Sequence, residues 1–234
     1  MLLGSSCSAL TVTQLIERHR ASVGSTIALR SYERLSWEGT LTLGERRMPV
    51  KSVRRAPEFL RREVQLKHWS LIEVFDGETG WQWFETGAER TEMTRLVGSA
   101  LQELAGQAQF FPEWWDEPQA LEQVGVSDVM IHRRLDAPVF RLRWVSADGF
   151  DESAYFNAYN FRLLMTEKRP EGSQGAPLRT FFSNFRTVGD LTLPTRIATF
   201  HGDEPVGILE IATLDLDPVV IRSLFQPPVV AATE

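Results

Sequence analysis

Apolar and polar residues alternate along most of the chain, the period-two pattern of half-buried β-strands. Between 27 and 43, Leu29, Leu35, Trp37, Leu41 and Leu43 take odd positions and Arg30, Arg34, Glu38 and Thr40 even ones. This predicts one long strand in which only Glu33 is out of phase. Further strands are expected at about 48–56, 58–66, 69–76 and 79–86, then 127–134, 138–146, 152–158 and 161–170, and finally 178–187, 194–202 and 206–215. The clearest joint is Asp76-Gly77-Glu78-Thr79-Gly80-Trp81, where Asp-Gly and a second glycine supply hairpin chemistry. Behind it Trp81 and Trp83 alternate with Gln82 and so share one face.

The period changes in two places. Residues 10–24 read as an amphipathic helix: Thr11 with Gln14 makes a capping box, Leu10 with Leu15 a hydrophobic staple, and Gly24 marks the end. Leu15, Ile16, His19 and Val23 lie on its inner stripe, which makes His19 a packed or half-exposed histidine. Residues 94–110 carry Leu96, Leu101, Leu104, Ala105 and Ala108, which predicts a helix interrupted or bent near Gly98 and Gly106. Phe110, Phe111, Trp114 and Trp115 follow at once between prolines. These rings either plug an edge of the core or, with the helix, form a movable lid over an apolar cavity. A short helical turn and an extended end are expected in the tail.

Composition narrows the partners. At 234 residues and 43% hydrophobic the chain can bury one substantial core, and a single domain over 11–228 is expected, with a flexible tail at 229–234. A formal charge of −6 and the lack of any Lys/Arg run longer than doublets such as Arg46-Arg47, Arg54-Arg55 and Arg61-Arg62 argue against nucleic acid. Neighbours on a strand point to opposite faces, so the doublets read as solvated. One cysteine excludes an intrachain disulfide and a cysteine metal cage. No apolar run reaches the ~18 residues of a membrane-spanning helix. Leu2-Leu3 followed by small residues reads as the end of an export signal within 1–10. A lipobox ending at Cys7 is the rival, although Leu3 stands four residues ahead of Cys7 rather than three. Membrane tethering through Cys7 therefore stays open.

No nucleophile elbow, phosphate loop, dinucleotide fingerprint or zinc-protease motif is present, and His68, His132 and His201 stand singly on separate strands. No catalytic residue, metal or cofactor is expected. Seven Trp and fourteen Phe are the excess that asks for a role.

The succession of capped helix, long first strand, Asp76-Gly77-Glu78-Thr79-Gly80-Trp81 hairpin, helical insertion and second meander resembles the outer-membrane lipoprotein-sorting (LolA-like) family of periplasmic carriers over most of 11–228. The closing motifs of the match are Val188-Gly189-Asp190-Leu191-Thr192-Leu193-Pro194, then Leu216-Asp217-Pro218 before Leu224-Phe225. The resemblance implies a mainly β fold, an open antiparallel half-barrel of about eleven strands with helices covering its concave face. It implies a periplasmic protein that carries lipid or lipoprotein acyl chains and meets a membrane-bound donor or acceptor. The family's lid-latching arginine matches no one Arg of this chain. On this reading Trp37, Trp81, Trp83, Phe140 and Trp144 line the cavity, and Leu101, Leu104, Phe110, Phe111, Trp114 and Trp115 belong to the lid. A stress sensor or protein-interaction scaffold of the same fold, and a cofactor-free enzyme with a His or carboxylate buried among the rings, are the alternatives.

Overall fold

The computed structural model describes residues 10–87, 89, 91–115, 126–146 and 149–228. The expected signal remnant apart from Leu10, with Cys7, and the tail at 229–234 lie outside them. The fold class is the one expected: mainly antiparallel β-sheet, open rather than closed, with few helices, and thirteen strands among the described residues. Contacts group the chain into two compact units, the first from Met1–Thr26 with Glu113–Val206, the second from Ile27–Pro112 with Gly207–Glu234.

In the first unit, helix α1 (Val12–Val23) begins as its residues dictate. Gln14 N donates to Thr11 Oγ1 and Thr11 N to Gln14 Oε1, each at 3.1 Å, closing the capping box. Gly24 ends the helix in extended conformation, its N–H donating to Arg20 O at 3.0 Å. The strands β7 (Met130–Ile131), β8 (Pro138–Val145), β9 (Phe150–Asn157), β10 (Leu163–Pro170), β11 (Leu178–Val188) and β12 (Leu191–His201) lie side by side in chain order. Pro194 falls inside β12 rather than at its start. It pairs with Phe185 next to Asn184, whose φ of +54° marks a break in the ladder where a missing N–H is tolerated. Val12, Leu15 and Ile16 of α1 bury against Leu142, Trp144, Ala154 and Phe156 on one face of β8 and β9.

In the second unit the expected strand from 27 is instead a short helix, α2 (Thr26–Ser31), and β1 (Arg34–Leu43) begins only after Glu33. Glu33, the one residue out of phase, marks the changeover. Ala28 and Leu29, adjacent in sequence, are both buried, which a half-buried strand cannot achieve and a helix can. The remaining strands are β2 (Arg46–Arg55), β3 (Phe59–Gln65), β4 (Ser70–Asp76), β5 (Gly80–Glu85), β6 (Thr94–Leu96) and β13 (Glu204–Leu216), with helix α3 (Gly98–Ala108). Their order in the sheet is β6-β5-β4-β3-β2-β1-β13. The predicted hairpin is closed by Asp76, whose Oδ1 accepts from Glu78 N at 3.1 Å and Thr79 N at 2.7 Å, while Gly77 takes φ +97°. The tail forms a 3-10 turn, Arg222–Phe225, with Phe225 buried.

Gly39 occupies the bulge where β1 shifts register against β13. A Cβ there would stand 2.3 Å from Glu210 O. Gly39→Ala is expected to cost about 1–3 kcal/mol through forced backbone movement, read as a lowered urea midpoint. An unchanged midpoint would show that the bulge relaxes freely.

Candidate functional site

Strand pairing decides which side chains share a face. In the second unit Trp37 opposes Ser52, Ser52 opposes Arg62, and Arg62 opposes Glu73. Leu60 and Phe75, paired with each other, lie on the same side by alternation. This is the face that α3 covers. Leu104 and Ala108, with Leu101 and Ala105 beside them, pack on Leu60, Phe75 and Leu96. Beyond the helix the same face continues through Trp37, Met48, Val50 and Val64, with half-buried Leu41, Leu71, Leu209, Ile211 and Leu214 around them. Gly80 lets α3 come close: a Cβ there would lie 2.9 Å from Leu101 and 3.3 Å from Leu104. Its place in the hairpin is therefore set by the helix, while Gly77 supplies the positive φ.

The C-terminal end of α3 is fastened by two arginines that project from this apolar face. Arg54 Nη1 donates to Gln109 O, the capping carbonyl, at 3.1 Å. A guanidinium suits that position because the last carbonyls of a helix carry partial negative charge. Burial, and then the neighbouring Arg62, pull Arg54 down to about 10, which leaves it charged at neutral pH. Arg62 Nε donates to Glu73 Oε2 at 2.6 Å, and its Nη1 donates to Gln107 Oε1 on α3 itself. At the other end of the helix Gly98 takes φ +58°. Arg54 and Arg62, read from the sequence as members of solvated doublets, are thus inward, with their neighbours Arg55 and Arg61 on the reverse side. The signal was available: Arg54 shares parity with Val50 and Ser52, and Arg62 with Leu60 and Val64.

The five expected lining rings do not share one surface. Trp37 is on the α3 face. Trp81 and Trp83 pair with Val74 and Ile72 on the opposite side of the same sheet, with Met93 packed against that cluster. Phe140 and Trp144 are in the first unit, on the face against α1. The lid candidates divide too: Leu101 and Leu104 belong to α3, and Phe110 and Phe111 are half-buried in the second unit with ring centroids 6.5 Å apart. Trp114 and Trp115 pack in the first unit around His19.

His19 is 4% exposed and ringed by Trp114, Trp115 and Phe156 at centroid distances of 5.8, 5.2 and 5.1 Å. Its Nδ1 donates to Phe161 O at 2.9 Å, which fixes the tautomer. Burial lowers its pKa to about 4, against the opposing pull of the Phe161 carbonyl. A histidine among rings is what the enzyme alternative asks for. One nitrogen is already engaged, however, and the enclosure leaves little room for a substrate, so the arrangement is that of a packed neutral imidazole. Among the described residues no three His, Cys, Asp or Glu are grouped so as to hold a metal ion, and no helix is long and apolar enough to cross a membrane.

Neither a family model nor a curated protein matches the sequence. Solved structures match the fold. A Vibrio parahaemolyticus domain named for outer membrane lipoprotein sorting aligns with TM-score 0.59 at 12% identity, covering 92% of this chain and 95% of its own. A DUF1329 family protein from Desulfovibrio piger gives 0.59 at 10% identity over 92% and 95%. A LolA superfamily protein from Nitrosomonas europaea gives 0.54 at 11% identity over 94% and 99%. The chain has the LolA-like fold.

Proposed function

We propose that this chain of LolA-like fold is a periplasmic carrier or binding protein for acyl chains of lipids or lipoproteins. The chains lie on the sheet face of the second unit beneath and beside α3, and a membrane-bound protein serves as donor or acceptor. The observation that carries this reading is the way α3 is attached. A helix with a four-residue apolar stripe sits on an apolar sheet face, held at its C-terminal end by Arg54 and Arg62, with a glycine of positive φ at its start. Releasing a few polar bonds and turning about Gly98 uncovers apolar surface without unfolding the sheet. An acyl chain replaces that cover at roughly 0.8 kcal/mol per methylene withdrawn from water.

In this scheme Trp37 lines the bound chain, and Leu101 and Leu104 are the lid contacts that exchange for it. Phe140, Trp144, Trp114 and Trp115 form a second apolar surface in the first unit, while Trp81 and Trp83 brace the reverse of the sheet. Protein purified from its own host is expected to show co-purifying lipid in native mass spectrometry. A photoactivatable fatty acid should label peptides containing Trp37, Met48 and α3. A lipid-free spectrum together with no labelling above a bulk-protein control would remove the proposal.

A further inference from the structure

The face of the first unit's sheet that turns away from α1 has a different chemistry. Arg141 and Arg143 alternate along β8 with Phe140, Leu142 and Trp144, so they emerge on the other side. Pairing brings Tyr155, Ser153 and Asp151 of β9 next to them, and Glu167 and Arg169 of β10 next in turn. These side chains, with Ser173 and Gln174 of the loop after β10, enclose a cleft of about 380 Å³. That is the size of a small-molecule site.

The carboxylates of the cleft are already engaged. Asp151 accepts from Arg143 at 3.0 Å, and the buried Glu167 accepts from Arg169 at 2.9 Å and from Arg179 of β11 at 2.8 Å. Arg141 lies opposite Tyr155 across the β8–β9 pair and pairs with no carboxylate among the described residues. Three guanidiniums and two carboxylates line the cleft, and Arg179 reaches Glu167 from β11, so the cleft carries a net positive charge in a chain whose formal charge is −6. The ion pairs fix Arg143, Arg169 and Arg179, so that their remaining N–H groups are pre-positioned, and the hydroxyls of Ser153 and Ser173 add neutral donors at the wall. Nothing in the acyl-chain reading uses this cleft.

We propose that the cleft bounded by Arg141, Arg143, Arg169, Tyr155 and residues 172–174 binds a phosphate group, either free or on a small phosphomonoester or a lipid headgroup. Arginines from separate strands suit a tetrahedral group with several oxygens better than a single planar carboxylate, and Arg141 is the cation left to bind it.

Isothermal titration with inorganic phosphate and with glycerol 3-phosphate at physiological salt, and flotation with vesicles of phosphatidylglycerol or of phosphatidylcholine, test this on the full chain. Saturable binding of the soluble phosphates, weakened roughly tenfold or more by Arg141→Gln, supports a free phosphate or phosphomonoester as ligand. Flotation with phosphatidylglycerol alone, lost in Arg141→Gln, supports the lipid headgroup. Arg141→Lys should retain part of the binding in either case, and near-UV circular dichroism shows that the variants are folded. Labelling by the photoactivatable fatty acid should be the same in Arg141→Gln and wild type, because Arg141 lies outside the acyl face. No saturable binding up to ~10 mM phosphate and no selective flotation would overturn the proposal, as would binding that Arg141→Gln and Arg143→Gln both leave unchanged.

Discussion

Arg62→Ala is expected to lower unfolding free energy by about 3 kcal/mol, because it strands the Glu73 carboxylate on an apolar face without its cation. Glu73 is 9% exposed and receives Arg62 Nε at 2.6 Å. The same substitution removes the bond to Gln107, so amides of α3 should exchange hydrogen faster than those of β3 and β4. The double variant Arg62→Met/Glu73→Leu removes both charges and should come back to within about 1–2 kcal/mol of wild type. Urea unfolding of the three proteins makes the comparison. If the single variant is as stable as wild type, water reaches the pair and the fastening carries no weight.

Acid should weaken the first unit through His19. Its imidazole titrates near 6.5 in the unfolded chain and at about 4 when folded, so the fold favours the neutral form. The contribution to stability is then fully present above pH 6.5, declines as pH falls toward 4, and is gone below that. The full loss is about 3 kcal/mol at 1.36 kcal/mol per unit. The charged ring would have to stay enclosed by Trp114, Trp115 and Phe156 or expel them, and the latter exposes tryptophan. Denaturation at pH 7 and 4.5 should show wild type losing about 2–3 kcal/mol more than His19→Phe, with a tryptophan emission shift to match. Equal losses in the two proteins would mean that His19 is not buried as drawn.

Local chemistry was legible in the residues. Thr11 with Gln14, the Asp76 turn and the inward stripe of Leu15 and Ile16 need only neighbours a few positions away, and each is found as expected. The strands followed too, because alternation is a local property; the exceptions are α2, where two adjacent apolar residues are both buried, and β6 (Thr94–Leu96), which takes the start of the segment expected to be helical, the helix itself running unbroken from Gly98 past Gly106. The choice of face was not legible. Alternation says that Trp81 and Trp83 agree with each other, but their relation to Trp37 depends on four successive strand pairings. The inward turn of Arg54 and Arg62 was hidden for a related reason. A doublet always sends one member to each side, and only the position of α3 makes one side apolar and closed. His19 was placed on the right stripe, but its depth depends on Trp114 and Trp115, some 95 residues later in the chain.

The pairing of β1 with β13 has a consequence for how the polypeptide matures. β2 through β6 can zip onto β1 one after another as they leave the ribosome, since each is adjacent to its predecessor. The other edge of β1 waits for a strand that begins only at Glu204, and until then Leu35, Trp37 and Leu41 border an unpaired ladder. A nascent chain in that condition offers a sticky template to its neighbours. A holding chaperone during synthesis, or delivery across a membrane before folding, would keep that edge from pairing with the wrong strand.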